Sequence, residues 1–267
     1  MLRDINIGQY IPGDSPVHRM DPRVKIMLTI IFVVLLFVIN NFYGYAIISA
    51  FIILPIVMSK ISTRYLFKGL RPILIIILIT VLFNLFLTEG EVVYRVGSFN
   101  ITKEGIRMAA FMALRLIFLI TGTTLLTLTT SPIDLTDGIE RLLNPFKRIG
   151  VPAHELAMMM TIALRFIPTL LEETEKIMKA QMARGADFES GNFINRAKNM
   201  VPLLVPLFIS AFRRADDLAM AMEARCYRGG ENRTRMKQLK MSAVDYMAFA
   251  FTALLSAGVV YTRFFFR

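Results

Sequence analysis

Five runs along the chain, residues 24–40, 42–58, 72–87, 108–130 and 244–261, are apolar and carry no more than one charge apiece. In lipid a backbone must satisfy its own hydrogen bonds, so such a run crosses as a helix, which needs about 20 residues for a hydrocarbon core of about 30 Å. The three runs nearest the N-terminus are short and borrow flanking residues. This feature sets the expected fold class: an all-α integral membrane protein with about five transmembrane helices.

The charges say which ends stay in the cytoplasm. Hydrophobic residues make up 55% of the chain and charged residues 19%, too oily for a soluble domain and too charged for spans alone. Lysine and arginine number 31 against 20 acidic residues, a net charge of +11. Arg3, Arg19, Arg23 and Lys25 precede or open the first run, and the Asn40-Asn41 turn after it has no charge. Lys60, Arg64, Lys68 and Arg71 follow the second run with no acidic residue among them. The connection 88–107 is balanced, with Arg95, Lys103 and Arg107 against Glu89, Glu91 and Glu104. Cytoplasmic loops keep the excess of lysine and arginine, so the N-terminus, the second loop and residues 131–243 are expected inside. Arg263 and Arg267 then fall outside, against the trend. The opening MLRDINIGQYIPGDSPVHRMDPR has no apolar core, so the first span is expected to direct insertion.

This divides the chain into a membrane domain of four spans at 1–130, a cytoplasmic domain at 131–243 and a C-terminal span at 244–267. The middle segment carries apolar stripes at helical spacing and reads as three amphipathic helices. The first lies in SPIDLTDGIERLLNPF, where Ser131 or Asp134 can cap its start and Pro145 marks its end. The second follows Pro152 and runs through Pro168 to Ala183, Arg184 and Gly185. The third runs from Asn192 through Pro202 and Pro206 to Ala224, Arg225 and Cys226. Along it Phe208, Ala211, Phe212, Ala215, Leu218, Ala219 and Met222 form an oily face at three-four spacing. Two apolar patches, 156–171 and 200–212, resemble spans. The first contains Arg165 and Pro168 and the second is short, so both helices are expected to lie under the membrane.

Several chemistries are missing from the sequence. There is no glycine-rich phosphate loop ending in Gly-Lys-Ser/Thr and no HExxH zinc motif, and the two histidines are His18 and His154. The single cysteine, Cys226, excludes an intramolecular disulfide and argues against a cysteine-ligated metal. No nucleophile, base and metal set clusters, so no enzyme, cofactor or metal site is expected. Arg115, about two turns into the fourth run, is the clearest intramembrane charge; it reads as a partner-binding group or a helix contact, and at least as well as a side chain snorkelling toward the near interface. The basic stretch Arg225, Arg228, Arg233, Arg235, Lys237 and Lys240 is explained by anionic membrane lipid without any nucleic acid.

What remains is a repeat. KAQMARGADF at 179–188 and AMEARCYRGG at 221–230 each end a long amphipathic helix with Ala-Arg followed by a small residue. Arginine offers a planar, permanently charged fork of five donors, suited to acidic or carbonyl-rich grooves on a partner. Taken singly, either tripeptide is an ordinary helix end, with arginine favouring the helix dipole and a small residue stopping the helix. The repetition on neighbouring helices points to two related partners or the two halves of a dimer.

GQYIPGDSPVHRMDPRVK at 8–25, the long stretch LTLTTSPIDLTDG to QMARG at 126–185 and PLLVPLFISAFRRADDLAMAMEAR at 202–225 carry a likeness over nearly the whole chain. They resemble the transmembrane T component of energy-coupling-factor (ECF) vitamin transporters. That resemblance implies a non-catalytic scaffold in the cytoplasmic membrane of a prokaryote. Its partners would be two ABC-type ATPase subunits, alike or different, that bind ATP, and one or more interchangeable S components that bind the substrate. It also implies that the three cytoplasmic helices are coupling helices. Ala183, Arg184 and Gly185, and Ala224, Arg225 and Cys226, would then enter grooves in the ATPases, with Cys226 where glycine is often found. A self-contained channel or secondary transporter is the alternative, and it would need a polar pathway that the sequence does not display.

Overall fold

Proline and short polar side chains mark where the helices begin in a computed structural model of the chain, which describes residues 10–96, 99–188, 192–230 and 239–265. Ser15 caps α1 (Pro16–Arg19), Asp21 caps α2 (Pro22–Val38) and Asn41 caps α3 (Phe42–Ser59), each accepting from a backbone N–H two or three residues on. Such caps contribute about 1 kcal/mol apiece by satisfying an orphan donor. Then follow α4 (Thr63–Leu70), α5 (Leu74–Leu87) and a hairpin of β1 (Val92–Val96) and β2 (Phe99–Thr102). Thr102 caps the long α6 (Lys103–Thr129), and α7 (Pro132–Leu143), α8 (Ala153–Ala183), α9 (Phe193–Ala224) and α10 (Ala243–Phe265) complete the chain. Both α4 and the hairpin fall in stretches that the sequence presents as connections between spans.

Two compact units result. One is formed by the described residues of Gly8–Ile139 and Lys237–Arg267, the other by those of Glu140–Met236. In the first, Phe32, Leu36, Ile39, Tyr45, Ile48, Ile52 and Val259 form the core where α2, α3 and α10 meet. Phe32 and Phe51 stack with ring centroids 5.1 Å apart. Tyr45 packs on Phe111 of α6 and donates from its hydroxyl to the Phe111 carbonyl at 3.3 Å. A second cluster, Ile61, Leu66, Leu125 and Leu128, ties the loop after α3 and α4 to the last turns of α6. Most of α5 stays open, with Ile75, Leu78, Phe83 and Leu87 exposed, as a lipid-facing helix requires.

The ends of these helices sort into two levels. Lys25 at the start of α2 reaches Thr129 at the end of α6, the Asp21 N–H donates to the Asp245 carboxylate of α10 at 3.0 Å, and the Ile11 N–H donates to Leu128 O at 3.0 Å. At the other level Asn41, between α2 and α3, donates to the Thr262 carbonyl of α10 at 2.9 Å. Arg115 lies at this second level. Its guanidinium donates to the Ile39 carbonyl at 3.2 Å and sits over the Phe37 ring, so it closes a helix contact.

Five helical stretches are long and apolar enough to cross a membrane: Phe42–Ser59, Thr63–Leu87, Lys103–Thr129, Ala153–Ala183 and Ala243–Phe265. Four coincide with expected spans. The expected first span is α2, whose 17 residues make it the shorter case, about 26 Å long. The addition is α8, read from sequence as lying under the membrane. Its first half, from Ala157 to Leu171, is broken only by Arg165, whereas its second half carries Glu172, Glu173, Glu175, Lys176 and Lys179.

Candidate coupling site

The 31 residues of α8 and the 32 of α9 dominate the second unit, and side chains link them as an antiparallel pair. Near the turn between them Asn199 donates to the Asp187 carbonyl at 2.6 Å. Midway Arg214 donates to Glu173 at 2.6 Å. At the far end His154 meets the Tyr227 hydroxyl at 3.2 Å. Glu173 therefore pairs across the two helices. Glu172 stays exposed.

Both arginine motifs end their helices in the same way. After Ala183, Arg184 leaves the helix at φ −90° and ψ 8°, and Gly185 takes φ +89°. Gly185 N–H bonds to Met182 O and Ala186 N–H to Gln181 O, both at 3.0 Å. After Ala224, Arg225 leaves at φ −91° and ψ 11°, and Cys226 takes φ +57°. Cys226 N–H bonds to Glu223 O at 2.8 Å and Tyr227 N–H to Met222 O at 3.0 Å. Each pair of bonds is a Schellman closure, which needs a left-handed residue just past the arginine. A Cβ at Gly185 would meet nothing within 4 Å, so backbone conformation alone explains glycine there. Cys226 accepts the same conformation with a side chain attached, and the geometry of the second motif is preserved.

Arg184, Gly185, Arg225 and Cys226 are all exposed. Because the helices are antiparallel, the motifs sit at opposite ends of the pair. One motif lies near the α8–α9 turn and the other beside the first turn of α8. A helix rises 1.5 Å per residue, so α8 holds them about 45 Å apart, less any bend at Pro168.

The oily face of α9 is open. Val205, Phe208, Ile209 and Phe212 are exposed, as are Leu156, Met159 and Met160 of α8. Among the described residues, Leu203 is the buried hydrophobic side chain of α9. No group of three or more histidine, cysteine, aspartate or glutamate side chains that could hold a metal ion occurs among the described residues. Of the charges weighed in the sequence, Arg3, Arg233, Arg235, Lys237 and Arg267 lie outside the described residues, as does the side chain of Arg95.

Residues 13–236 match the family described as cobalt transport protein, CbiQ. The chain belongs to that family. It is 66% identical over 263 residues to the energy-coupling factor transporter transmembrane protein EcfT of Thermosediminibacter oceani, covering 98% of this chain and 99% of that relative. The protein of the same name from Clostridium kluyveri is 63% identical over 250 residues, 93% of each chain. That from Bacillus subtilis is 48% identical over 264 residues, 98% of this chain and 100% of the relative. As a CbiQ-family member with these apolar helices, the chain is a multi-pass, all-α membrane protein of transport.

Proposed function

We propose that this chain is the transmembrane scaffold of an ECF-type ABC importer. In this reading it couples ATP hydrolysis by two partner ATPases to a substrate-binding S component that takes up a vitamin or micronutrient, and it catalyses nothing itself. The observation that carries the reading is the pair of matching Schellman ends, each presenting an exposed arginine, at opposite ends of α8 and α9. Two like knobs about 45 Å apart fit one on each subunit of an ATPase dimer. Ala183, Arg184 and Gly185 form one knob; Ala224, Arg225 and Cys226 form the other.

ATP binding would draw the ATPases together and change the angle between the two helices. Stiff helices joined by the Arg214–Glu173 pair transmit such a movement, and Pro168, Pro202 and Pro206 place its bends. The open apolar surface around Phe208, Ile209 and Met160 supports an S component as the third partner, because an apolar face of this extent calls for lipid or a membrane protein. The meeting of the α2 start, the α6 end and the α10 start at one level supports a cytoplasmic N-terminus in the cell membrane, on the side of the basic loop 60–71.

The test is reconstitution into proteoliposomes. Uptake is expected only when the chain, both ATPases, an S component and ATP are present together. Uptake by the chain alone would contradict the scaffold reading and support a self-contained channel or secondary transporter.

A further inference from the structure

His154 stands in the first turn of α8, and its ring joins two other elements. Nδ1 is 3.0 Å from an oxygen of Glu140 on α7, and Nε2 is 3.2 Å from the hydroxyl of Tyr227. A carboxylate only accepts, so Nδ1–H donates to Glu140 and, in the neutral ring, Nε2 accepts from Tyr227. Both His154 and Glu140 are largely covered, with 22% and 14% of their side chains accessible. Tyr227 directly follows Cys226. Its backbone N–H closes the second Schellman end on Met222 O while its hydroxyl reaches His154.

The chain then folds over the imidazole. Gly229 takes φ +88°, and a Cβ on Gly230 would overlap Cδ2 and Cγ of the His154 ring. Hydrogen bonding and close packing thus converge on one side chain. The first motif has no equivalent, because Ala186 occupies the place of Tyr227. It also needs less support, since Gly185 adopts the left-handed conformation without the Cβ clash that Cys226 carries.

We infer that His154 is the positioning residue of the second arginine motif. With Glu140 and Tyr227 it forms a brace that fixes the direction in which Arg225 leaves α9 and links movement at Arg225 to α7, the helix that follows α6 in the chain. The inference rests on the reading of Arg225 as an ATPase contact. It makes the two knobs unequal: Arg225 is braced to a second helix through side chains, and Arg184 hangs on the turn.

The lone, exposed Cys226 supplies the probe. A nitroxide attached there in the full detergent-solubilised chain reports the mobility of the motif. Tyr227→Phe removes one hydroxyl and leaves packing intact, so it is the primary variant; His154→Gln and Glu140→Gln accompany it. Each should mobilise the label, and the Tyr227→Phe, His154→Gln double variant should do no more than the single ones. In the unlabelled complex with ATPases and S component, uptake per ATP hydrolysed should fall about fivefold, the factor of one lost hydrogen bond, while ATPase association persists. An unchanged spectrum with unchanged uptake per ATP would overturn the brace and leave Arg225 as an unaided contact. If Arg225→Ala itself keeps association and uptake, the parent reading of the motif fails instead.

Discussion

The ammonium of Lys25 donates to the carbonyl of Thr129, the last residue of α6, at 2.9 Å. It also donates to the His18 carbonyl at 3.2 Å and the Thr130 hydroxyl at 3.3 Å, and the carboxylates of Asp134, Asp245 and Asp21 offset only part of the cost of burying its charge. One buried cation thus fastens the N-terminal segment, the start of α2 and the junction between α6 and α7. Lys25→Met would strand these carbonyls and leave the carboxylates without it. The expected loss is about 3 kcal/mol, measured as a lowered midpoint of thermal unfolding in detergent.

The two motifs also predict opposite responses to exchanging their left-handed residues. Cys226→Gly should stabilise the end of α9 by about 1 kcal/mol, since the Cβ strain disappears. Gly185→Ala should destabilise the end of α8 by a similar amount, about 1 kcal/mol, although the added methyl has open space. Amide hydrogen exchange in the last turn of each helix distinguishes the two.

Acid should loosen the N-terminal hook. His18 Nδ1 lies 2.7 Å from Ser15 Oγ and Nε2 lies 3.1 Å from the Ile11 carbonyl. Burial first, then the charge of Lys25, hold this imidazole below its ordinary 6.5, against the opposing pull of the Ile11 carbonyl and Asp14. The folded chain therefore binds this proton more weakly than the unfolded chain. Its contribution is complete above the unfolded value and is lost as pH falls towards the lower folded value. Protease sensitivity of residues 10–19 should rise between neutral and mildly acidic pH, and His18→Gln should flatten that rise.

The Glu173–Arg214 pair is partly exposed, at 22% and 34% of the side chains, so its contribution is modest. A double-mutant cycle should give about 0.5–1 kcal/mol. The larger effect of breaking it should fall on uptake per ATP, because it joins α8 to α9 midway between the motifs.

What the sequence disclosed follows from what is local. The apolar runs of α3, α5, α6 and α10 declare themselves because lipid leaves the backbone one economical solution, and Pro132, Pro145 and Gly185 mark helix limits by removing a donor or supplying a left-handed turn. The hairpin is not legible in the sequence although Val92, Val93, Tyr94 and Ile101 are strand formers, because its nine strand residues are set between two apolar helices. Lys25 and Arg23 read in the sequence as orientation charges, yet one is a buried tie and the other makes a bidentate pair with Asp21. The brace had no local signal at all: His154 lies 14 residues from Glu140 and 73 from Tyr227, and only the antiparallel return of α9 unites them.

Co-purification of the detergent-solubilised chain with its host's ATPase subunits tests the central claim most directly, comparing wild type, Arg184→Ala, Arg225→Ala and the double variant. Each single variant should weaken the association and the double variant should abolish it, with the chain still folded by circular dichroism. Full retention of both ATPases by the folded double variant would contradict the account and reduce the two arginines to helix caps.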